Sequence, residues 1–242
     1  MNIILIYFSI KYKGDWDLIY KALEDKEKVK LDDLRTLEKS LEQNKMNAIT
    51  ILDMEYPNQL KKAYKPPFVI FYEGNKDLLK QKFTCATGNY LNKDIEKWVN
   101  DSIPHTKDKK AIITPLQKGV DELIYKENKL PSCIVLASGI DVLACSILKN
   151  EIRENTLVIS EYPPETTVKK ERTRGRNRII AAMAEELILF SSNKKSSLMN
   201  LVTQFLNQGK EIYCFPEYSE NSGNIELIKQ GANLITKIEE IN

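Results

Sequence analysis

The chain has 242 residues, 42% of them hydrophobic, and carries 36 Lys and Arg against 34 Asp and Glu for a net charge of +2. That is enough apolar material for a substantial core, which excludes disorder as the main state, and the length suits one ordinary domain with a smaller appendage. A charge balance this even supplies no global field that points to nucleic acid, so any binding signal must come from local clustering.

The opening run Ile3-Ile4-Leu5-Ile6-Tyr7-Phe8-Ser9-Ile10 is far shorter than a membrane span and lacks the basic flank and cleavage site of a signal peptide, so it reads as a core segment with no membrane role. Apolar residues then recur near the helical period in Trp16 to Leu23 and in Leu31 to Leu41, which predicts a small helical N-terminal domain over residues 1–46.

From Ala48 the pattern changes to short runs rich in β-branched and aromatic residues, bounded by Pro, Asn, Asp or Gly. They fall at 48–52, 68–72, 83–87, 111–114, 133–137, 157–160, 187–190 and 211–215. The charged stretch Asn75 to Lys82 reads as a connector between two of them. Continuous apolar strands that alternate with stretches of helical length predict an α/β fold for residues 47–242, an extended Rossmann-like, mostly parallel sheet covered on both faces. Ligands of such sheets bind beyond the carboxyl ends of the strands. Function is therefore sought in the turns at 87–90, 114–119, 137–141 and 191–197.

The basic tract Lys169-Lys170-Glu171-Arg172-Thr173-Arg174-Gly175-Arg176-Asn177-Arg178 stands directly before the apolar stretch Ile179-Ile180-Ala181-Ala182-Met183. Arginine forks near a helix N-terminus, with free backbone N–H groups and the positive end of the dipole, suit phosphate. The alternation Arg174, Arg176, Arg178 predicts an extended groove lined by all three. On charge alone, a solvated loop whose arginines pair with Glu165, Glu171, Glu185 and Glu186 explains the tract equally well.

The wording of this tract goes further than its charge. Arg176-Asn177-Arg178-Ile179-Ile180-Ala181 resembles the RNRIIAGLS motif of the DprA/Smf family, and Ser160-Glu161-Tyr162-Pro163-Pro164 resembles the SExPP that precedes it. Tyr56-Pro57-Asn58-Gln59-Leu60, Pro66-Pro67 and Phe71-Tyr72-Glu73-Gly74 are similar to the family's entry segment, and Gly139-Ile140-Asp141 to its GLD. Ser222-Gly223-Asn224, Leu227-Ile228 and Gly231-Ala232 are similar to its closing SxGxNxLIxxGA. In order and spacing these segments cover residues 48–236.

The chain also departs from the family pattern. Gly88-Asn89-Tyr90 stands where the family has GSR, so Tyr90 replaces an arginine expected on a phosphate. The SGxAxGID turn is reduced to Lys118-Gly119-Val120-Asp121, with Pro115 removing a backbone donor and Tyr125 in place of the usual histidine. After the later strand, Phe190 holds an acidic position and Lys195-Ser196-Ser197-Leu198 replaces SGSL. Many relatives continue into a C-terminal winged-helix-like domain, whereas this chain stops soon after Gly231-Ala232.

The resemblance implies a non-catalytic protein that binds single-stranded DNA in transformation and recombination, helps load a RecA-type recombinase and works as a homodimer. The expected phosphate contacts are Arg174, Arg176, Arg178 and Lys118, with Lys194 and Lys195 as weaker candidates and Asn177 supporting the groove or a base edge. Tyr90, Tyr125 and Tyr162 are candidates for stacking on bases, worth roughly 1–3 kcal/mol per base where they do so, although half-buried packing explains each as well.

Competing chemistry has less support. His105, the single histidine, lies in a polar stretch with no Cys or second His at metal-ligand spacing, which argues against zinc and against a Ser-His-Asp set. Neither a P-loop nor a dinucleotide fingerprint is present, so no cofactor is expected. Two alternatives stay open. One is a Rossmann-like nucleotide-processing enzyme similar to the LOG-type phosphoribohydrolases, with Asp121, Asp141 or Glu161 as acid or base. The other is an interaction module that has lost the pocket. Four cysteines, Cys85, Cys133, Cys145 and Cys214, have no CxxC pair, which predicts reduced thiols and a cytoplasmic location.

Overall fold

The computed structural model describes residues 2–44, 46–103, 110–127, 130–142 and 154–241; His105 and Cys145 lie outside these. Three helices come first: α1 (Ile3–Lys11), α2 (Trp16–Glu24) and α3 (Leu31–Gln43). Asn2 and Asp15 begin the first two by accepting hydrogen bonds from the backbone N–H of Leu5 and Leu18, the standard satisfaction of orphan donors at a helix start. Leu5, Ile6 and Leu41 from this segment form one apolar cluster with Val69 and Phe71 of the sheet. Trp16 stacks on Phe68 at 5.2 Å and donates its indole N–H to the Pro66 carbonyl at 2.8 Å.

After β1 (Asn47–Thr50), the short α4 (Asn58–Lys61) and β2 (Val69–Gly74), the chain alternates strand and helix. The strands are β3 (Phe83–Gly88), β4 (Ala111–Thr114), β5 (Ser132–Val135), β6 (Thr156–Ser160), β7 (Ala184–Ser191), β8 (Ile212–Cys214) and β9 (Asn233–Leu234). Between them lie α5 (Lys93–Ser102), α6 (Val120–Glu127), α7 (Lys170–Met183), α8 (Leu198–Leu206) and α9 (Gly223–Lys229). A 3-10 turn, Lys76–Lys80, connects β2 to β3, as the charged stretch predicted.

The nine strands form one sheet in the order β1-β2-β6-β5-β4-β3-β7-β8-β9. Every pairing from β6 to β9 is parallel, and β1 and β2 add an antiparallel edge. The fold is thus the mostly parallel, Rossmann-like α/β sheet that the apolar runs predict. Successive strand residues point to opposite faces, and the core divides accordingly. Cys85, Ile113, Leu187 and Leu189 pack under α7 and α8 with Ile180 and Leu201, whereas Ala86, Ile112, Ile188 and Phe190 pack with Ile95 and Val99 of α5 and Ile124 of α6.

Two features of this topology position the site. Strand order reverses at β3, which has β4 on one side and β7 on the other; ligands of doubly wound sheets bind in the crevice at such a switch point. In addition, α7 returns the chain from β6 to β7, across β5, β4 and β3. Because it links parallel strands, its first turns lie at their carboxyl edge.

Candidate nucleic-acid interface

The basic tract is helical from Lys170 onward, not a strand-to-helix turn preceding the helix. Lys169 caps α7 without a side-chain hydrogen bond, so the boundary has none of the Ser, Asp or Asn that normally announces one. Within a helix, residues four apart share a face and residues two apart differ by about 200°. The alternating arginines therefore do not all line one groove: Arg174 and Arg178 share a face and one cleft, whereas Arg176 turns to another pocket.

Arg174 is exposed and, with Lys13, Lys65, Lys169 and Arg172, lines a cleft of about 720 Å³ between α7 and the turn joining α1 to α2. Arg178, one helical turn on, is half-buried and pairs with the buried Glu161. Its Nη1 and Nη2 donate to Glu161 Oε1 and Oε2, each at 2.6 Å, while Nε donates to the Lys65 carbonyl at 3.0 Å and Nη1 also to the Gly175 carbonyl at 2.8 Å. Burial alone lowers the Arg178 pKa, and the adjacent Glu161 carboxylate more than reverses this. A Cβ at Gly175 would stand 2.6 Å from Glu161 Oε1, so this helix-interior glycine, ordinarily unfavourable, is what lets the pair close.

Arg176 faces the sheet with 8% of its surface exposed. Its Nε and Nη2 share Asn177 Oδ1 at 3.2 and 3.0 Å, and Asn177 Nδ2 donates to Asn200 Oδ1 at 3.1 Å. Burial lowers the Arg176 pKa against the opposing pull of Asp121. Arg176 and Lys118 line one pocket of about 360 Å³ beyond the carboxyl ends of β4 and β5, together with Gln117 and Ser138. The turn that forms it holds Leu116 at φ 50°, a sparsely populated conformation for a branched side chain and one that concentrates at functional sites.

Lys194 and Lys195 are exposed in the turn after β7, at the switch point. Arg174, Lys118, Lys194 and Lys195 form no ion pair with another described residue. Of the acids named in the solvated-loop reading, Glu185 and Glu186 are engaged elsewhere, pairing with Lys110.

Of the tyrosines, Tyr125 is 2% and Tyr162 is 6% exposed. Tyr125 Oη lies 3.1 Å from Thr156 Oγ1, and Tyr162 Oη donates to the Arg172 carbonyl at 3.3 Å; both serve packing. Tyr90 alone of the three is at the switch point, half-buried, with its hydroxyl donating to Glu217 Oε2. Burial and that carboxylate push Tyr90 up to about 12. Gly88, two residues earlier, is a close-approach position, since a Cβ there would lie 2.7 Å from Ser191 Oγ and 2.8 Å from Val120 Cγ2.

The possible acid-base residues are tied into the scaffold. Asp121 is 0% exposed and accepts from Thr87 Oγ1 at 2.7 Å and the Gln117 N–H at 2.8 Å. Burial raises it to about 6 despite these bonds. Asn224 of the closing motif is a staple: Nδ2 donates to the Leu189 carbonyl at 3.0 Å and the Phe215 carbonyl at 2.9 Å, and Oδ1 accepts from Ser192 Oγ at 2.6 Å. Sequence reasoning missed Glu161 as the arginine's partner, Glu217 beside Tyr90, and the Lys13 and Lys65 wall of the large cleft. These contacts join distant segments and leave no local spacing to find.

A doubly wound α/β sheet with small pockets and exposed Lys and Arg side chains along its carboxyl edge defines a Rossmann-like α/β protein. The family model for DNA recombination-mediator protein A matches residues 47–242, and the chain belongs to that family. DNA processing protein DprA of Bacillus subtilis (strain 168) is 30% identical over 222 residues, covering 81% of this chain and 70% of that protein. The solved structure of DNA processing protein A from Streptococcus pneumoniae aligns over 100% of this chain and 97% of its own, with a TM-score of 0.80 and 23% identity. That of the Helicobacter pylori protein, described as having a unique single-stranded DNA binding mode, aligns over 81% and 93% with a TM-score of 0.69 and 20% identity.

Proposed function

We propose that this protein binds single-stranded DNA along the carboxyl edge of its sheet and acts as a recombination mediator in DNA processing. The observation that carries this reading is the pocket shared by Lys118 and Arg176 beyond β4 and β5, with exposed Lys194 and Lys195 at the neighbouring switch point. Phosphates engage Lys118, Arg174, Lys194 and Lys195 directly. Arg176 lends charge from the pocket wall with Asn177 fixing its guanidinium, and Arg178 braces the helix that presents Arg174. The single-stranded DNA binding described for the Helicobacter pylori relative supports the choice of ligand.

Within this reading the protein is not an enzyme, since Asp121 and Glu161 are buried and spent on structural bonds. It acts in the cytoplasm as a homodimer and hands its strand to a RecA-type recombinase. Among the described residues no helix is long and apolar enough to cross a membrane.

The test is the salt dependence of affinity for an unstructured oligonucleotide, whose log–log slope is about −0.7 per phosphate neutralised on a single strand. Changing Lys118, Lys194 and Lys195 together to Ala should flatten the slope by about 2. An unchanged slope removes this edge from the interface.

A further inference from the structure

The crevice at the switch point is built from the carboxyl ends of three adjacent strands. Tyr90 follows β3, Asn193 follows β7, and Glu217, Tyr218 and Ser219 follow β8; Trp98 of α5 closes the side. The space is about 180 Å³, a few water volumes of about 30 Å³ each and room for one heterocyclic base. Its walls are aromatic and firmly held. Trp98 stacks on Phe215 at 5.4 Å, and the Tyr90 backbone is clamped by Ser191 Oγ, which accepts from its N–H at 3.2 Å and donates to its carbonyl at 2.7 Å. Tyr218 stands at the rim, 92% exposed, free to stack on an entering ring.

The polar floor is a carboxylate with one oxygen in use. Glu217 is 3% exposed, and its Oε2 accepts the Tyr90 hydroxyl while Oε1 is buried with no hydrogen-bond partner among the described residues. An unfilled acceptor on a buried charge is costly, and a ligand that donates a hydrogen there relieves the cost. Phosphate is the wrong ligand for this floor, because Asp94 lines the same space and both carboxylates repel it. Lys194 and Lys195, exposed and directly after the lining residue Asn193 in the chain, are the cations available to a phosphate flanking a bound base.

We propose that this crevice is a base-reading subsite in which Glu217 Oε1 accepts an N–H of an amino-bearing base, giving the protein a preference for cytosine over thymine in single-stranded DNA. Glutamate is a known acceptor for the cytosine N4 amino group, whereas the single N–H that thymine offers, at N3, is flanked by the O2 and O4 carbonyls, which meet the carboxylate with like polarity. The inference rests on the single-strand reading above.

Anisotropy titrations with labelled dC15 and dT15 at one low salt concentration test it, because equal length cancels the phosphate contribution. The native protein should bind dC15 about ten-fold tighter, the order expected of one hydrogen bond to a charged group. In Glu217→Gln, confirmed folded by its thermal transition, the ratio should collapse toward one. A native ratio near one with both strands bound and salt-sensitive overturns the subsite and leaves single-strand binding standing. A ratio that survives in Glu217→Gln overturns it too. Binding of neither strand ends both readings.

Discussion

Changing Arg178 to Ala distinguishes a cation that braces the fold from one that meets the ligand. The Arg178–Glu161 pair has two 2.6 Å contacts, and the side chains are only 13% and 5% exposed. Deleting one partner leaves Glu161 charged and uncompensated, a loss of about 3–5 kcal/mol for a buried pair. The hydrogen bonds to the Lys65 and Gly175 carbonyls disappear with it, each worth about 1 kcal/mol and not fully additive. Against a typical total of about 5–15 kcal/mol, the urea midpoint should fall by a third or more. Arg174→Ala, one turn earlier on the same face but exposed, should change stability by less than about 0.5 kcal/mol while reducing the salt slope of DNA binding by about 0.7. The double variant Glu161→Gln/Arg178→Met should recover much of the loss, since an apolar replacement abolishes the stranded charge. Urea unfolding followed by circular dichroism, with anisotropy in parallel, reads both effects. If Arg178→Ala unfolds within about 1 kcal/mol of the native protein while its salt slope drops, Arg178 faces the ligand and the burial argument fails.

Asn224→Ala should cost about 2–4 kcal/mol, because it strands the Leu189 and Phe215 carbonyls in the core; a urea midpoint within error of native contradicts the staple. Asp121 is raised to about 6 in the fold against about 3.9 unfolded. Between those values the folded state keeps a proton that the unfolded chain has lost, so its contribution declines as pH rises from about 4 through about 6. The Tm difference, native minus Asp121→Asn, should therefore shrink over that window in scanning fluorimetry, and a difference that grows would refute the assigned direction.

Much of the fold is legible in the chain because buried parallel strands are continuous apolar runs. All eight runs found from Ala48 onward are strands; the ninth, Asn233–Leu234, is two exposed residues with no apolar signature. The start of α7 was hidden for a different reason. A tract of Lys, Arg and one Gly without a capping side chain resembles a solvated loop, and the reason a glycine stands at 175, where a Cβ would meet Tyr162 Oη and Glu161 Oε1, lies in a segment outside the tract. The site was legible as composition and not as geometry. Sequence located the arginines, yet a spacing of two suits a strand and splits across a helix, which is how Arg176 comes to be buried on one side and Arg178 half-buried on another. The Tyr90–Glu217 pair spans 127 residues, and only the sheet order that brings β3, β7 and β8 together makes it visible.

The central claim, single-strand binding along the carboxyl edge, is tested most directly by titrating the native protein with labelled single-stranded and double-stranded DNA of the same length at several salt concentrations. The account predicts tighter binding of the single strand, with a log–log slope of about −0.7 for each phosphate engaged. Equal affinity for the duplex, or single-strand affinity that does not change with salt, would contradict it.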